Sequence, residues 1–523
     1  MLKYDLDDLG YEYKGAATTA SKEIKVGPWN IIDIPKDIDE QKVKNEFKRW
    51  ITNVCAVEVP TSLKCNLRCQ YCYVADPRMK NKDVTTDDVV KILESSSQMF
   101  PGLMRENINP DDPDSAAHIT SWGAEPFFNI DTLEAVSQFG HDYYGKDNYV
   151  LALSTNGTIW SKRIEQLFVN LVKDNAFRDM QISLDGPPNV QNKNRPLVNG
   201  KPSFDLVEKF TYNYSMLMQE IGDKQRKHHF CSTIHLHEDD FVETWIEAAR
   251  FFSTPNQWYT SPFLPMRITS EDMVNEHEIN KFVEAQKRML ELVKERVKEG
   301  ILIMDYYTSK LFETVSCTSR NANPFCSAMD TQVAIDLDGS IYPCHGPITT
   351  PTYKPWLWFG NLFDKTISYT KWVRNIHYQF TQWNKAKCTD CPVYHYSTGS
   401  LCYSCGPHNL AVSGEPTINS IYKCKAFTKS LKYWTQIGKM VINGNPILDH
   451  MPIHTDNEYM LSAEEKIPFK IEKGMHFDRN YDGFIDRSIQ KICDKNININ
   501  DMYFENEWWN FDDFFEECNT KKD

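Results

Sequence analysis

Short apolar runs alternate with amphipathic stretches of helical period between residues 55 and about 266. Strands that alternate with helices are typical of βαβ units and of a parallel sheet. Helices are predicted over Thr86–Phe100 and Lys162–Lys173. The pattern therefore indicates an α/β region of six units, whose candidate strands are Ala56–Thr61, Ala117–Ser121, Tyr149–Thr155, Met180–Leu184, His229–Leu236 and Trp258–Pro265.

The segments on either side of this region follow other patterns. GYEYKG and KEIKVGPWNIIDIP predict short strands, and Asp37–Thr52 predicts a helix with Asp39 near its start. A cysteine-rich region and a long final segment follow the six units. We predict four parts: an N-terminal strand and helix segment (1–54), the α/β region (55–305), a cysteine-rich domain (306–428) and a C-terminal extension of unknown role (429–523).

Composition narrows the class of protein. A length of 523 residues suits one large domain with additions, and a hydrophobic fraction of 41% supplies a buried core. No apolar run approaches the roughly 18 residues that cross a membrane, and the N-terminus lacks a secretory signal. The net charge of −14 argues against broad nucleic-acid binding and favours solubility or a basic peptide partner. We expect a cytoplasmic protein that binds neither nucleic acid nor membrane.

The cysteines carry the strongest chemical signal. Fifteen cysteines in a chain expected to be cytoplasmic indicate metal or redox chemistry rather than disulfides. The first group comprises Cys65, Cys69 and Cys72, in the run CNLRCQYCY. Three thiolates on one loop can hold three irons of a 4Fe–4S cluster and leave the fourth iron open, whereas a structural zinc site is closed by four ligands. The loop therefore predicts a cluster with one position for a further ligand.

Segments at the ends of the next strands complete a family pattern. Ser121–Pro126 (SWGAEP) follows the second strand, STNGT the third and SLDGP the fourth. With the cysteine loop, they resemble the radical S-adenosylmethionine (SAM) superfamily, although Ala124 replaces the second glycine of the family's Gly-Gly-Glu-Pro segment. The resemblance implies a partial (β/α)6 TIM-like barrel. SAM would occupy the open iron at the carboxyl ends of the parallel strands.

The resemblance also implies contacts to SAM. Gly123 and Glu125 would contact its amino group, and Ser183 and Asp185 would lie near its ribose. Arg195 would neutralise its carboxylate, because a guanidinium can bind a carboxylate through two parallel hydrogen bonds. Taken alone, each segment is also explained as an ordinary turn, and the tyrosines of the cysteine loop as core aromatics. The remaining implied contacts are Ser154, Asn156, Tyr71 and Tyr73.

Eight further cysteines lie between residues 317 and 424. Asp338–Gly339 predicts a hairpin turn in DLDGSIYPCHG, and WFGNL follows soon after. The region resembles the SPASM extension, which implies two auxiliary 4Fe–4S clusters and hence three clusters in all. Two C-x2-C pairs also suit zinc, and the spacing between the pairs departs from the family pattern, so the split stays open. The implied ligands are Cys317, Cys326, Cys344 and Cys405 for the first cluster and Cys388, Cys391, Cys402 and Cys424 for the second.

The C-terminal extension contains one further metal-like pattern, DRNYDGFID. It resembles the first nine positions of a calcium loop, but the twelfth position is Ile489 instead of an acidic residue. An ordinary Asp/Asn turn is the alternative. The candidate calcium ligands are Asp478, Asn480, Asp482 and Asp486.

The resemblance implies an oxidoreductase that receives an electron from a low-potential donor such as flavodoxin or ferredoxin and uses SAM to abstract a hydrogen atom. The leading hypothesis is a maturase that forms a thioether or carbon–carbon cross-link in a ribosomally made precursor peptide. One alternative is an anaerobic sulfatase-type maturase that forms formylglycine from Cys or Ser in a protein substrate. Another is a non-catalytic iron–sulfur electron carrier.

Two roles stay open at this point. Related maturases bind the leader of their peptide with an N-terminal winged-helix element, and residues 1–54 would be either a shortened form of it or a lid. No unique catalytic base emerges from the sequence. His235 and His237, at the end of the fifth strand, and Arg267, after the sixth, are candidates near the barrel mouth, and a core or supporting role fits them equally.

Overall fold

The computed structural model of the chain describes residues 21–72, 74, 83–109, 115–177, 179–222, 227–255, 257–261, 264–268, 275–299, 303–308, 327–349, 357–380 and 421–442. Several predicted features lie outside these residues and stay predictions. They are the GYEYKG segment, Tyr73, Cys317, Cys326, Cys388, Cys391, Cys402, Cys405 and the candidate calcium ligands Asp478, Asn480, Asp482 and Asp486.

Twelve strands of the described residues form one sheet. In chain order they are β1 Ser21–Val26, β2 Trp29–Pro35, β3 Ala56–Ser62, β4 Ala117–Gly123, β5 Tyr149–Thr155, β6 Asp179–Ser183, β7 Lys227–Ile234, β8 Met266–Ile268, β9 Gln332–Ile335, β10 Ser340–Tyr342, β11 Gly360–Asn361 and β12 Thr366–Ser368. Across the sheet their order is β1-β2-β12-β11-β10-β9-β3-β4-β5-β6-β7-β8.

The helices connect and cover these strands. In chain order they are α1 Glu40–Asn53, α2 Thr86–Met99, α3 Ile130–Phe139, α4 Lys162–Lys173, α5 Pro188–Asn194, α6 Phe204–Glu220, α7 Phe241–Phe252, α8 Glu276–Lys298, α9 Gly346–Thr349, α10 Tyr369–Phe380 and α11 Ile421–Ile442. Short 3-10 turns cover Pro101–Leu103, Arg105–Asn107 and Pro126–Asn129, and a π-helical turn covers Gly140–Tyr144. None of the helices in the described part of the chain is both long and apolar enough to cross a membrane.

The strands β3 to β8 form the parallel half of the sheet, and each is parallel to the next. Helices follow these strands along the chain, so the predicted α/β barrel of six units is confirmed. Polar caps fix several helix starts. Ser161, for example, accepts a hydrogen bond from the backbone N–H of Ile164 at the start of α4. The carboxyl ends of the parallel strands face one edge, where the cysteine loop follows β3.

The predicted position of the sixth strand is wrong. The sequence pattern places it over Trp258–Pro265, whereas β8 begins at Met266. Trp258 lies in a turn and packs its ring 6.1 Å from that of Phe204. Two prolines in the segment lack a backbone N–H and cannot complete an interior ladder. As a result Arg267, which was expected after this strand, lies in its middle.

The other half of the sheet consists of β1, β2 and β9 to β12. It starts where β9 pairs in parallel with β3, and β9 to β12 then form an antiparallel meander. The predicted hairpin is confirmed, with Gly339 at φ +83°, and a Cβ added at this glycine would lie only 2.5 Å from the Phe363 ring. The strands predicted in KEIKVGPWNIIDIP and the helix predicted over Asp37–Thr52 are also present, and β2 pairs in parallel with β12. The N-terminal hairpin therefore extends this half of the sheet.

Aromatic side chains hold this half together. Trp29, Phe47, Trp50, Phe100 and Trp372 are fully buried. The rings of Trp50 and Trp372 lie 5.7 Å apart, and those of Phe47 and Trp50 lie 5.6 Å apart. The Trp50 indole N–H donates to the carbonyl of Met329 at 3.0 Å. The cluster thus combines large apolar burial with satisfied indole donors at Trp29 and Trp50, which makes it a stable anchor for the N-terminal segment, although the Trp372 indole N–H has no partner among the described residues.

Candidate active site

The cysteine loop begins three residues after β3 ends. Backbone hydrogen bonds join it to the loop after α5: Arg68 N–H donates to Pro196 O at 2.8 Å, and Val198 N–H donates to Asn66 O at 2.9 Å. The three cysteines of the loop are free and half-buried. The predicted cluster loop and the segment that carries Arg195 are therefore one connected unit.

The thiol of Cys65 accepts hydrogen bonds from the Leu67 N–H at 3.3 Å and from the Asn156 side-chain amide at 3.4 Å. Burial raises the pKa of Cys65 to about 12 and that of Cys69 to about 11. Iron binding would therefore have to displace protons from these thiols. Within the part of the chain that the structure describes, no group of three or more His, Cys, Asp or Glu side chains is placed to hold a single metal ion. The donor set of three free thiols with N–H donors to sulfur nonetheless fits a cluster with an open position.

The segment after β4 lies against the end of β3. Ala124 N–H donates to Ser62 O at 2.7 Å, and Glu125 N–H donates to Lys64 O at 3.1 Å. Gly123 has a φ of +129°, and a Cβ at this position would come within 2.1 Å of Ser62 O. Only glycine fits here, which accounts for the Gly-x-Glu-Pro pattern in physical terms.

Glu125 is buried, with 1% of its surface exposed. Its carboxylate accepts from Asn156 N–H at 2.7 Å, from the Thr155 hydroxyl at 2.8 Å and from Phe127 N–H at 3.1 Å. Burial raises its pKa to about 7, although these donors oppose the shift. The carboxylate joins the ends of β4 and β5 and places Asn156 against Cys65. Its expected contact with the SAM amino group stays a prediction.

Asp185 and Arg195 meet at the centre of the site. Arg195 Nε donates to Asp185 Oδ1 at 2.9 Å, and the hydroxyl of Tyr71 donates to Asp185 Oδ2. The guanidinium also lies 5.2 Å from the centre of the Tyr71 ring. Burial alone would lower the pKa of Arg195, but Asp185 raises it well above its usual value. Arg195 is therefore a permanent cation beside the cysteine loop.

The remaining predicted residues are less closely connected. Ser154 is exposed on β5, and Ser183 is half-buried at the end of β6. The ring of His235 lies 5.7 Å from that of Tyr71, so His235 belongs to the site. His237 instead contacts Glu278 of α8, with Nδ1 2.6 Å from a carboxylate oxygen. Arg267 is exposed on β8, and none of these positions identifies a catalytic base.

Cys344 and Cys424 are the two cysteines of the second group within the described residues. Cys344 follows β10, whereas Cys424 is in the first turns of α11. Both are half-buried. Their assignment to the two auxiliary clusters stays a prediction.

Sequence analysis missed a polar pair on the barrel's first strand. Glu58 of β3 accepts from the backbone N–H of His345 at 2.6 Å and lies 3.0 Å from its Nδ1. The His345 ring is nearly parallel to that of Trp122, with 6.3 Å between centres. Burial would lower the pKa of His345, but Glu58 outweighs it and raises the pKa. The available signal was an acidic residue within the otherwise apolar run AVEVP.

Comparison with known sequences gives two informative relatives, while no protein-family model matches. The chain is 24% identical over 299 residues to a cysteine-type anaerobic sulfatase-maturating enzyme of Clostridium perfringens, covering 54% of this chain and 72% of that protein. It is 28% identical over 140 residues to an uncharacterized protein of Methanocaldococcus jannaschii. That second match covers 27% of this chain and only 41% of the relative's length.

Solved structures of anSMEcpe share the fold. The structure with bound AdoMet, which is S-adenosylmethionine, gives a TM-score of 0.53 at 17% identity and covers 74% of this chain and 98% of that chain. The structure with AdoMet and the Cp18Cys peptide gives a TM-score of 0.52 at 17% identity, with the same coverage. The relatives thus confirm the resemblance to radical SAM enzymes of the sulfatase-maturating type, and the structures confirm the fold.

Proposed function

We propose that this chain is a radical SAM maturase that oxidises a peptide or protein substrate. The observation that carries the proposal is the junction of three elements at one edge of the parallel sheet. The cysteine loop after β3 contacts Asn156 after β5, and it contacts Asp185 after β6 through Tyr71. An electron carrier would need the thiols but not a buried cation beside them.

The chain's own residues would bind and orient the cofactors. The three loop thiols would hold the 4Fe–4S cluster, Arg195 would bind the carboxylate of SAM, and the segment after β4 would approach its amino group. When bound, the cluster and SAM supply a radical that abstracts hydrogen from carbon. Glu125 and Asp185 would keep the surrounding loops rigid, which favours a fixed geometry at the reacting centre.

The reaction class is a two-electron oxidation of the substrate. The substrate would lose one hydrogen atom to the radical, together with one electron and one proton. We propose that the electron passes to auxiliary clusters bound by the second group of cysteines. A cross-link in a precursor peptide and formylglycine in a sulfatase-like protein both satisfy this balance. The name of the C. perfringens relative favours the second.

The test is anaerobic reconstitution with iron and sulfide, followed by reduction in the presence of SAM and substrate peptides. We expect 5′-deoxyadenosine, and a peptide that has lost two hydrogens or has exchanged a cysteine thiol for an aldehyde. Fragmentation spectra separate these products, because a cross-link suppresses cleavage between the joined residues. A reduced, fully loaded protein that does not cleave SAM would contradict the proposal.

A further inference from the structure

One carboxylate in the site is enclosed on every side. Asp185 has 0% of its surface exposed, although it lies among loops at the open edge of the sheet. Its Oδ1 accepts from Arg195 Nε at 2.9 Å and from Thr233 N–H at 3.0 Å. Its Oδ2 accepts from the Tyr71 hydroxyl. A ribose hydroxyl could reach these oxygens only by displacing a protein donor.

We infer that Asp185 is a positioning residue that holds Arg195 for the carboxylate of SAM, and that it does not contact the ribose. This inference rests on the proposed use of SAM. A guanidinium has five N–H donors, of which one is on Nε and four are on the terminal nitrogens. Binding through Nε keeps the terminal nitrogens for a second carboxylate and fixes the plane in which they lie.

The backbone around Asp185 is fixed as well. Its N–H donates to the Gln191 side chain at 2.8 Å, and its carbonyl accepts from the Ser232 hydroxyl at 2.9 Å. The N–H of Arg195 donates to the carbonyl of the same Gln191 at 2.8 Å. The backbones at both ends of the ion pair are thus attached to Gln191 of α5, which fixes the positions from which the two side chains extend.

Tyr71 connects this arrangement to the cysteine loop, because it lies between Cys69 and Cys72. Its hydroxyl donates to Asp185 while its ring faces the guanidinium of Arg195, 5.2 Å from the ring centre. Arg195 is also close enough to Cys69 for its positive charge to act on that thiol. We therefore expect a substitution at Asp185 to change the position of SAM at the cysteine loop, while the three thiols of the loop keep their positions.

The test compares two ligands on the reconstituted protein under anaerobic conditions. SAM has a carboxylate and a ribose, whereas 5′-methylthioadenosine has the same nucleoside without the amino-acid part. For Asp185→Asn we expect SAM to bind about tenfold more weakly, since a charged hydrogen-bond pair is lost. Binding of 5′-methylthioadenosine should stay within about twofold of wild type, because no contact to the ribose is removed. Equal weakening of both ligands would establish a ribose contact and overturn the inference.

Asp174→Asn is the matched control. Like Asp185, Asp174 is a carboxylate with a tyrosine and a second side chain as partners: Tyr149 and His141, each at 3.0 Å. Unlike Asp185, it lies away from the cysteine loop. This variant should bind both ligands as wild type does. If Asp185→Asn also binds both ligands unchanged, Asp185 is merely structural and the inference fails. Wild-type protein that carries its cluster but binds no SAM would instead overturn the cofactor assignment itself.

A double-mutant cycle with Arg195→Lys adds a second readout. If Asp185 acts through Arg195, Asp185→Asn should change SAM affinity little in the Arg195→Lys background. Independent, additive losses would contradict a positioning role.

Tyr71→Phe is the alternative variant if Asp185→Asn does not fold, because it removes one donor to Asp185 without changing the charge. We expect a loss of about threefold in SAM affinity for it, since a single hydrogen bond to the carboxylate is removed. Unchanged SAM affinity in this variant would count against the inference. The iron content and the reduced-cluster spectrum without SAM should match wild type.

Discussion

Both halves of the sheet bury large aromatic rings, among them Phe168 and Trp245 in the parallel half, but they differ in the buried polar groups at their edges. At its carboxyl edge the parallel half, β3 to β8, encloses charged groups such as Glu125 and Asp185, each with several donors. The half formed by β1, β2 and β9 to β12 encloses the aromatic rings of Trp29, Trp50 and Trp372. A buried charge destabilises unless it is paired, whereas a buried ring stabilises directly. The polar carboxyl edge of the parallel half is therefore the part arranged for a candidate site, whereas the aromatic cluster of the other half contributes stability.

The halves meet at β3, which pairs with β4 on one side and with β9 on the other. Glu58 of this strand holds His345, the residue after Cys344. The strand thus connects the cysteine loop at its carboxyl end with Cys344, a predicted ligand of an auxiliary cluster. Substitutions on either side of β3 should separate effects on chemistry from effects on stability.

The largest effect is expected for Cys69→Ala in the cysteine loop. Removing one of three thiolate ligands should abolish SAM cleavage, because a cluster held by two thiolates does not keep its open iron in place. The measurement is 5′-deoxyadenosine formation by reduced protein, together with iron content. Cys55→Ala, at the start of β3 and also a free cysteine, should retain activity. Persistent cleavage in Cys69→Ala would refute the cluster assignment.

The next effect is expected in the other half. Trp50→Ala should lower the free energy of unfolding by about 4–5 kcal/mol, because it empties the centre of the aromatic cluster. Denaturant unfolding measures this loss. Phe128→Ala, at a side chain that is 47% exposed, should change it by less than about 1 kcal/mol. Similar losses in the two variants would show that the cluster is not the anchor we describe.

Gly123→Ala tests close packing at the edge that carries the site. The added Cβ would meet Ser62 O at 2.1 Å and would be strained by the φ of +129°. We expect a loss of about 3–4 kcal/mol in the free energy of unfolding, and weaker SAM binding. Gly200→Ala is the control. The φ of Gly200 is also positive, at +78°, but no atom of the described residues lies within 4 Å of the added Cβ. An equal loss at both glycines would assign the effect to backbone strain alone.

The smallest effect concerns Asp305, a fully buried carboxylate that caps a helical turn at the Thr308 N–H. Burial raises its pKa from 3.8 to about 6. Between pH 3.8 and about pH 6 the carboxyl group is ionised in the unfolded chain but still protonated in the folded protein. The free energy of unfolding therefore falls as pH rises through this range and levels off above about pH 6. The contribution is roughly 2–3 kcal/mol. Asp305→Asn should remove it, whereas the exposed Asp131→Asn should keep the wild-type slope. An unchanged slope in Asp305→Asn would show that Asp305 is ionised in both states.

Local sequence signals predicted the parallel half well. Tyr149–Thr155 and Lys162–Lys173 have the bounds that their periodicity indicates, and the cysteine loop follows β3 as expected. The prediction misplaced the sixth strand because the apolar segment around Trp258 forms a turn. The Trp258 ring packs from this turn against Phe204 of a helix. An apolar run alone does not distinguish that environment from a strand.

Long-range contacts could not be read from the sequence. The partners Glu58 and His345 are 287 residues apart, and no local pattern links them. The same holds for Asp185, whose motif indicates a ligand contact but whose burial depends on Tyr71 of the cysteine loop and Thr233 of β7. The motifs indicated where a candidate site lies, whereas tertiary packing decides which polar groups face a ligand and which support it.

The pairing of β2 with β12 has a consequence for synthesis. Ser368 donates to Asp33 at 2.9 Å across a separation of 335 residues. At roughly 5–20 residues per second, the ribosome needs on the order of 20–70 s to make that intervening chain. During this interval the apolar edge of WNIIDIP has no native neighbour on one side, and such edges promote aggregation. The N-terminal hairpin should therefore be among the last parts to reach its native state, and a chaperone that shields it should raise the yield of folded protein.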